Sequence, residues 1–102
     1  MSAIRIVENE QLKVCVSDHG AELCSIFDKK AGREAVWTAD PAYWNRHAPV
    51  LFPFVGKVTG GFYTYDGQKY PMGQHGFARD REFLFVKQDE TELCHRLVSD
   101  EI

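Results

Sequence analysis

The chain has 102 residues, a formal net charge of −3, 44% hydrophobic and 13% aromatic residues. That is the size of one domain, residues 1–102, and its apolar content predicts a buried core. The charged fraction is 26% and no basic run exceeds Lys29-Lys30, which argues against nucleic acid as a partner because that needs a basic face.

A membrane-spanning helix needs about 20 apolar residues in a row, and no such run exists. "MSAIRIVENEQ" lacks the apolar stretch of a signal peptide. Cys15, Cys24 and Cys94 are odd in number and contain no C-x-x-C pair. They are expected as reduced thiols packed as small hydrophobes, in a cytoplasmic protein.

"IRIV" at Ile4–Val7 alternates and predicts a strand. "LKVCVS" puts Leu12, Val14 and Val16 on one face and Lys13, Cys15 and Ser17 on the other, the period of a half-buried strand. "AELCSIFDK", entered through Gly20, and "REAVWT", after the turn "KKAGR", are the next two candidates. "DPAYWNRHAP" breaks the pattern. Asp40 caps a short helical turn with Pro41 at its first position, and Pro49 ends it. "VLFPF" is interrupted by Pro53 and is excluded as a central strand.

"FYTYDGQKYPM" predicts a tight hairpin on Asp66-Gly67, a pair favoured where the turn needs positive φ. "REFLFVKQ" and "TELCHRLVS" follow as two further strands. No window of about eleven residues holds a clean helical period. The expectation is an all-β chain of about seven to nine strands. "LVSDEI" ends just after a strand, which predicts an exposed edge and suggests a fragment or a homo-oligomer paired through strand edges.

His19, His47, His75 and His95 form no H-x-H or H-x-x-x-H pair, so a metal site would need long-range convergence. The small metal-binding β-barrel is the weakest reading, and no metal is expected. Cys94 and His95 are sequence neighbours on a strand. They point to opposite faces and cannot act as a nucleophile and base. The ten aromatics between Trp37 and Phe77 are expected mostly in the core, with some free to stack sugar rings. Two segments hold groups suited to hydroxyls: Asn45, Arg46, His47 and Lys57 in the first, Gln74, His75 and Arg79 in "GQHGFARD". The glycines around them let backbone approach a ligand.

"GAELCSI", "WTADPAYWNRHAPVLFPFVGKV" and "YTYDGQKYPMGQHGFARD" occur in that order. Together they resemble the N-terminal third of the aldose 1-epimerase (galactose mutarotase) family, in its bacterial mutarotase-like branch. The resemblance covers nearly all of the chain. It implies part of a large antiparallel β-sandwich with an open cleft, and an isomerase that interconverts sugar anomers without a cofactor. The partner implied is an aldose, with a phosphorylated sugar left open.

In that chemistry the ring oxygen gains a proton while the anomeric hydroxyl loses one, so an acid and a base are both required. The resemblance makes His75 a sugar-binding residue near the ring oxygen. It sets Lys57 where typical members have an arginine, which loses the planar two-pronged donor. Arg79 has no secure counterpart outside this branch. It is expected to bridge to Asp80 or Glu82, with substrate contact as the alternative. The substrate-binding candidates are therefore His75, Lys57, Arg79 and Gln74. No catalytic residue is assigned, because the family's catalytic histidine and glutamate would lie beyond Ile102. His95 and the acidic residues Glu22, Asp40 and Glu82 match neither. The alternative is a non-catalytic, self-associating carbohydrate-binding or interaction module.

Overall fold

The computed structural model describes residues 3–98. Eight strands run through them: β1 (Ile4–Glu8), β2 (Leu12–Ser17), β3 (Leu23–Asp28), β4 (Arg33–Glu34), β5 (Phe62–Tyr65), β6 (Gln68–Pro71), β7 (Leu84–Gln88) and β8 (Leu93–Arg96). The helical content is two 3-10 turns, Thr59–Gly61 and Ala78–Asp80. Every strand pair is antiparallel. β1-β2-β3-β4 form one sheet in sequence order, and β5-β6 and β7-β8 are separate hairpins. The predicted all-β antiparallel architecture is present. The expected edge at Ser99–Ile102 lies outside the described residues.

Local chemistry sets the boundaries. Asp66 and Gly67 both have positive φ, 51° and 78°, and Tyr65 pairs directly with Gln68. This is the two-residue hairpin their types predict. The Asp40 carboxylate accepts the Ala42 N–H at 2.9 Å. The Asp40 carbonyl accepts from Tyr43 and Trp44 at 3.0 Å each, which closes the expected single turn.

The fourth predicted strand shrinks to Arg33–Glu34. The Glu34 carboxylate explains why. It accepts the N–H groups of Ile26 at 2.8 Å and Val36 at 2.9 Å, along with the Ser25 hydroxyl. A side chain thus takes the donors a longer ladder would have used. These donors hold the Glu34 carboxyl below the usual carboxylate range, the Ser25 hydroxyl most of all.

The alternation read in β2 is interrupted by a register shift between Cys15 and Val16. A second shift lies between Phe85 and Lys87 in β7. Each bulge re-aims the side chains beyond it.

The hairpin β7-β8 is tied back to β1. Asp18 is 8% exposed. Its carboxylate takes Arg5 Nε at 3.1 Å and Nη2 at 2.8 Å, and lies 2.9 Å from His95 Nε2. The Arg5 guanidinium also lies over the Phe85 ring, 4.1 Å from its centroid. Gln88 donates to the Ile6 carbonyl at 2.8 Å.

The expected core does not form. Among the described residues only Met72 and Ala78 are buried apolar side chains. None of the ten aromatics is buried, and Trp37, Tyr43, Trp44, Phe52, Phe54 and Tyr65 are exposed. Of the cysteines, Cys15 and Cys24 are half-buried and Cys94 is exposed, so the packing expected for Cys94 is not found. The physical reason is layering: a sheet buries its apolar face only against a second layer. The chain exposes 7500 Å², where a compact protein of its mass exposes about 5,900 Å². The radius of gyration is 16.3 Å, against about 13 Å for a compact chain of this length. No helix among the described residues is long and apolar enough to cross a membrane.

Candidate functional site

The segment Gly73–Arg81 is clamped between two distant parts of the chain. Phe77 and Ala78 donate to the Phe52 carbonyl at 3.1 Å each, and Gly20 donates to the Arg81 carbonyl at 2.6 Å. Gly76 has φ +76° and pairs with Phe52 in an isolated parallel bridge. A Cβ on Gly76 would collide with the Phe52 carbonyl, and one on Gly20 would lie 2.5 Å from the Arg79 carbonyl. Glycine is needed at both places because backbone passes where a side chain would stand. Phe52–Pro53 is a cis peptide, and no strand forms across it, as Pro53 predicts.

His75 has φ +62°. That left-handed backbone is uncommon for a residue with a Cβ. It is stabilised by a reciprocal pair: His75 N–H donates to the Gly56 carbonyl at 2.8 Å, and Gly56 N–H donates to His75 Nδ1 at 2.8 Å. A backbone N–H can only donate, so Nδ1 is the acceptor. The neutral ring then carries its proton on Nε2.

His75, Gln74 and Arg79 line a cavity of about 300 Å³ whose other walls are Trp44, Pro49 and Leu51. Three of the four site residues named from sequence therefore meet. Lys57 does not join them: it is exposed and outside the cavity wall, although it follows Gly56 directly. Trp44 was visible in sequence only as one aromatic among ten. It is placed by the Asp40-capped turn and by Trp37 Nε1, which donates to the Trp44 carbonyl at 2.7 Å. Pro49 was read only as the residue that ends that turn, and Leu51 carried no signal beyond apolarity.

The other three histidines are engaged elsewhere. His19 Nδ1 is 2.9 Å from Glu82, His47 Nδ1 is 3.1 Å from Glu22, and His95 Nε2 is 2.9 Å from Asp18. Among the described residues, only His75 meets a backbone donor instead of a carboxylate. No group of three or more His, Cys, Asp or Glu converges as a metal site among the described residues.

Three of the residues lining the cavity, His75, Gln74 and Arg79, carry donor groups. Apolar faces come from Trp44, Pro49 and Leu51. Among the described residues no carboxylate is in the wall. Such a surface can grip hydroxyl and ether oxygens while an aromatic ring covers C–H faces. Among the described residues it holds no carboxylate suited to take a proton as a general base.

The family model for aldose 1-epimerase matches residues 2–101. Protein LacX (plasmid) of Lactococcus lactis subsp. lactis is 38% identical over 92 residues, which is 85% of this chain and 30% of that protein. The galactose mutarotase related enzyme from Lactobacillus acidophilus superposes with a TM-score of 0.92 at 41% identity, covering 97% of this chain and 33% of its own. A galactose mutarotase-like protein from Lactobacillus casei gives a TM-score of 0.81 at 42% identity, covering 86% and 30%. The chain thus spans about a third of the length of these relatives. With nearly every residue inside the family match and the antiparallel fold shared, the chain belongs to the aldose 1-epimerase family.

Proposed function

We propose that this chain forms the donor side of a sugar-binding cleft in an aldose 1-epimerase of carbohydrate metabolism. The carrying observation is the Gly56 N–H to His75 Nδ1 hydrogen bond. It leaves Nε2–H as the ring's remaining polar edge, a donor suited to the ring oxygen or a hydroxyl of an aldose. Gln74 supplies further hydrogen bonds, and Trp44 offers a stacking face. In mutarotation the ring oxygen needs a donor and the anomeric hydroxyl needs a base. These residues supply the first need and not the second. The activity of the family therefore requires a base from outside this cavity wall.

The test is anomer exchange of galactose and glucose followed by NMR. The chain alone should exchange anomers no faster than buffer, while the His75 ring signals move on adding sugar. Exchange well above buffer, abolished by His75→Ala, would contradict the division proposed here.

A second reading is favoured by one observation: the area of 7500 Å² exceeds the compact expectation by about 1,600 Å². A surface of that size is typical of a whole protein interface. In this reading the chain is a self-associating carbohydrate-binding or interaction module. A concentration-independent monomer in sedimentation equilibrium would remove it.

A further inference from the structure

The cavity takes its walls from two segments of the chain. Trp44, Pro49 and Leu51 lie in the first, and Gln74, His75 and Arg79 in the second. The first segment is tied to the second near both its ends. Just past Leu51, the Phe52 carbonyl accepts the N–H groups of Phe77 and Ala78 at 3.1 Å each. Two residues after Trp44, Arg46 Nη2 donates to Asp80 Oδ1 at 2.9 Å, across 34 residues of chain. Between these ties the segment is held to β3 instead. Glu22 Oε2 lies 3.1 Å from His47 Nδ1, and Ala48 bridges to Leu23 at the start of that strand.

The two ties differ in kind. The Phe52 tie is made of backbone hydrogen bonds. The other joins two side chains, Arg46 at 31% and Asp80 at 53% exposure, and a pair so open to water is modest in strength and screened by salt. Asp80 is itself placed by the turn Ala78–Asp80, where its N–H donates to the Phe77 carbonyl at 3.0 Å. Its second oxygen, Oδ2, lies 4.0 Å from Arg79 Nε, the bridge to Asp80 expected for Arg79 from the sequence. One carboxylate thus stands between Arg79, which lines one wall, and Arg46, on the segment that carries the other. Neither Arg46 nor Asp80 lines the cavity, so their effect on a ligand passes through the walls they join.

We propose that Arg46 and Asp80 are positioning residues: their ion pair sets the distance between Trp44 and the His75 wall, and through it the affinity for sugar. This rests on the sugar-cleft reading above and adds what holds the cleft at its width. A sugar must meet the Trp44 ring and the polar groups of the other wall at once. Dispersion contact weakens by roughly a quarter to a half when a gap opens by about 0.5–1 Å. A small relaxation of either wall is therefore felt as lost binding.

The test titrates the full chain with galactose and follows the Trp44 indole N–H and His75 ring signals by NMR. It is run at about 0.01 M and about 1 M salt, between which the screening length falls from about 30 Å to about 3 Å. Galactose is uncharged, so its own contacts carry little salt dependence. The unaltered chain should bind it about threefold more weakly at the higher salt. Arg46→Gln should show a loss of about threefold already at low salt, and no further loss at high salt. Arg46→Lys keeps the charge and should stay within about twofold of the unaltered chain. Arg46→Gln combined with Asp80→Asn should bind no more weakly than Asp80→Asn alone, as members of one pair do. Urea midpoints taken alongside separate lost affinity from lost folding. Salt-independent binding by the unaltered chain, or Arg46→Gln binding as tightly as the unaltered chain, would overturn the positioning role and leave the sugar cleft standing. Additive losses in the double variant would overturn it as well. Signals of the unaltered chain unmoved by galactose at either salt would remove the cleft reading and this inference together.

Discussion

Gly56 and His75 hold each other by two hydrogen bonds of 2.8 Å, one in each direction. The backbone of His75 adopts its left-handed conformation under this constraint, and the same contact fixes its ring proton on Nε2. A position that is conformationally costly is thus one that lines the cavity.

His75→Asn tests this clamp without adding backbone strain, because asparagine tolerates the left-handed region. The Gly56 amide then loses its imidazole acceptor. A net hydrogen bond is worth about 1 kcal/mol, so hydrogen exchange at Gly56 should accelerate about fivefold. An unchanged Gly56 exchange rate would mean the bond to Nδ1 contributes nothing.

Gly76→Ala and Gly32→Ala separate two effects. Both glycines have positive φ, +76° and +65°. A Cβ at Gly32 meets open space, while one at Gly76 meets the Phe52 carbonyl and the Pro53 ring. Gly32→Ala should cost only the left-handed strain, about 1–2 kcal/mol. Gly76→Ala should cost clearly more in urea denaturation and should shift the amide signals of Phe77 and Ala78. Equal costs would show that the close approach is unimportant.

The Asp18 carboxyl is held below the ordinary carboxylate range, first by its hydrogen bond from Arg5 and then by His95, against the opposing effect of burial. A carboxyl whose folded pKa is depressed stabilises the fold above its unfolded value, near 4. That contribution is lost as pH falls through the lower folded value. Asp18→Asn should therefore destabilise the protein at pH 7 and converge on the unaltered chain as the pH is lowered through the acid range. Urea midpoints across pH 2–7 check this. A constant gap between the two proteins would contradict the assignment.

Tyr43 and Val55 are 81% and 76% exposed. Replacing both with serine should change stability by no more than about 0.5 kcal/mol each, the usual range for surface positions. If the open apolar surface drives self-association, the same variant should shift sedimentation toward monomer. Loss of stability without a change in association would place these side chains in the fold's own packing.

Local features were legible in the sequence because their causes are local. Asp66-Gly67 makes its hairpin, Asp40 caps its turn, and Pro53 blocks a strand, each within a few residues. The motif around His75 was legible as a polar glycine-rich loop and through the family resemblance. The clamp that gives His75 its tautomer was not, because Gly56 lies 19 residues away. Asp80 is shared between its neighbour Arg79 and Arg46, which reaches it from 34 residues away. The shortened β4 turns on the Glu34 carboxylate replacing ladder acceptors, an outcome that strand periodicity does not encode. The aromatics were expected inside because their composition suggests a core, but burial depends on a second layer against these sheets.

The central claim is that His75 presents Nε2–H to a sugar oxygen. It is tested most directly by long-range ¹H–¹⁵N correlation of the imidazole during a galactose titration. The account predicts a proton on Nε2 and an unprotonated Nδ1 at neutral pH, with the Nε2 signal moving as galactose is added. A proton on Nδ1, or an Nε2 signal unmoved by excess galactose, would contradict it.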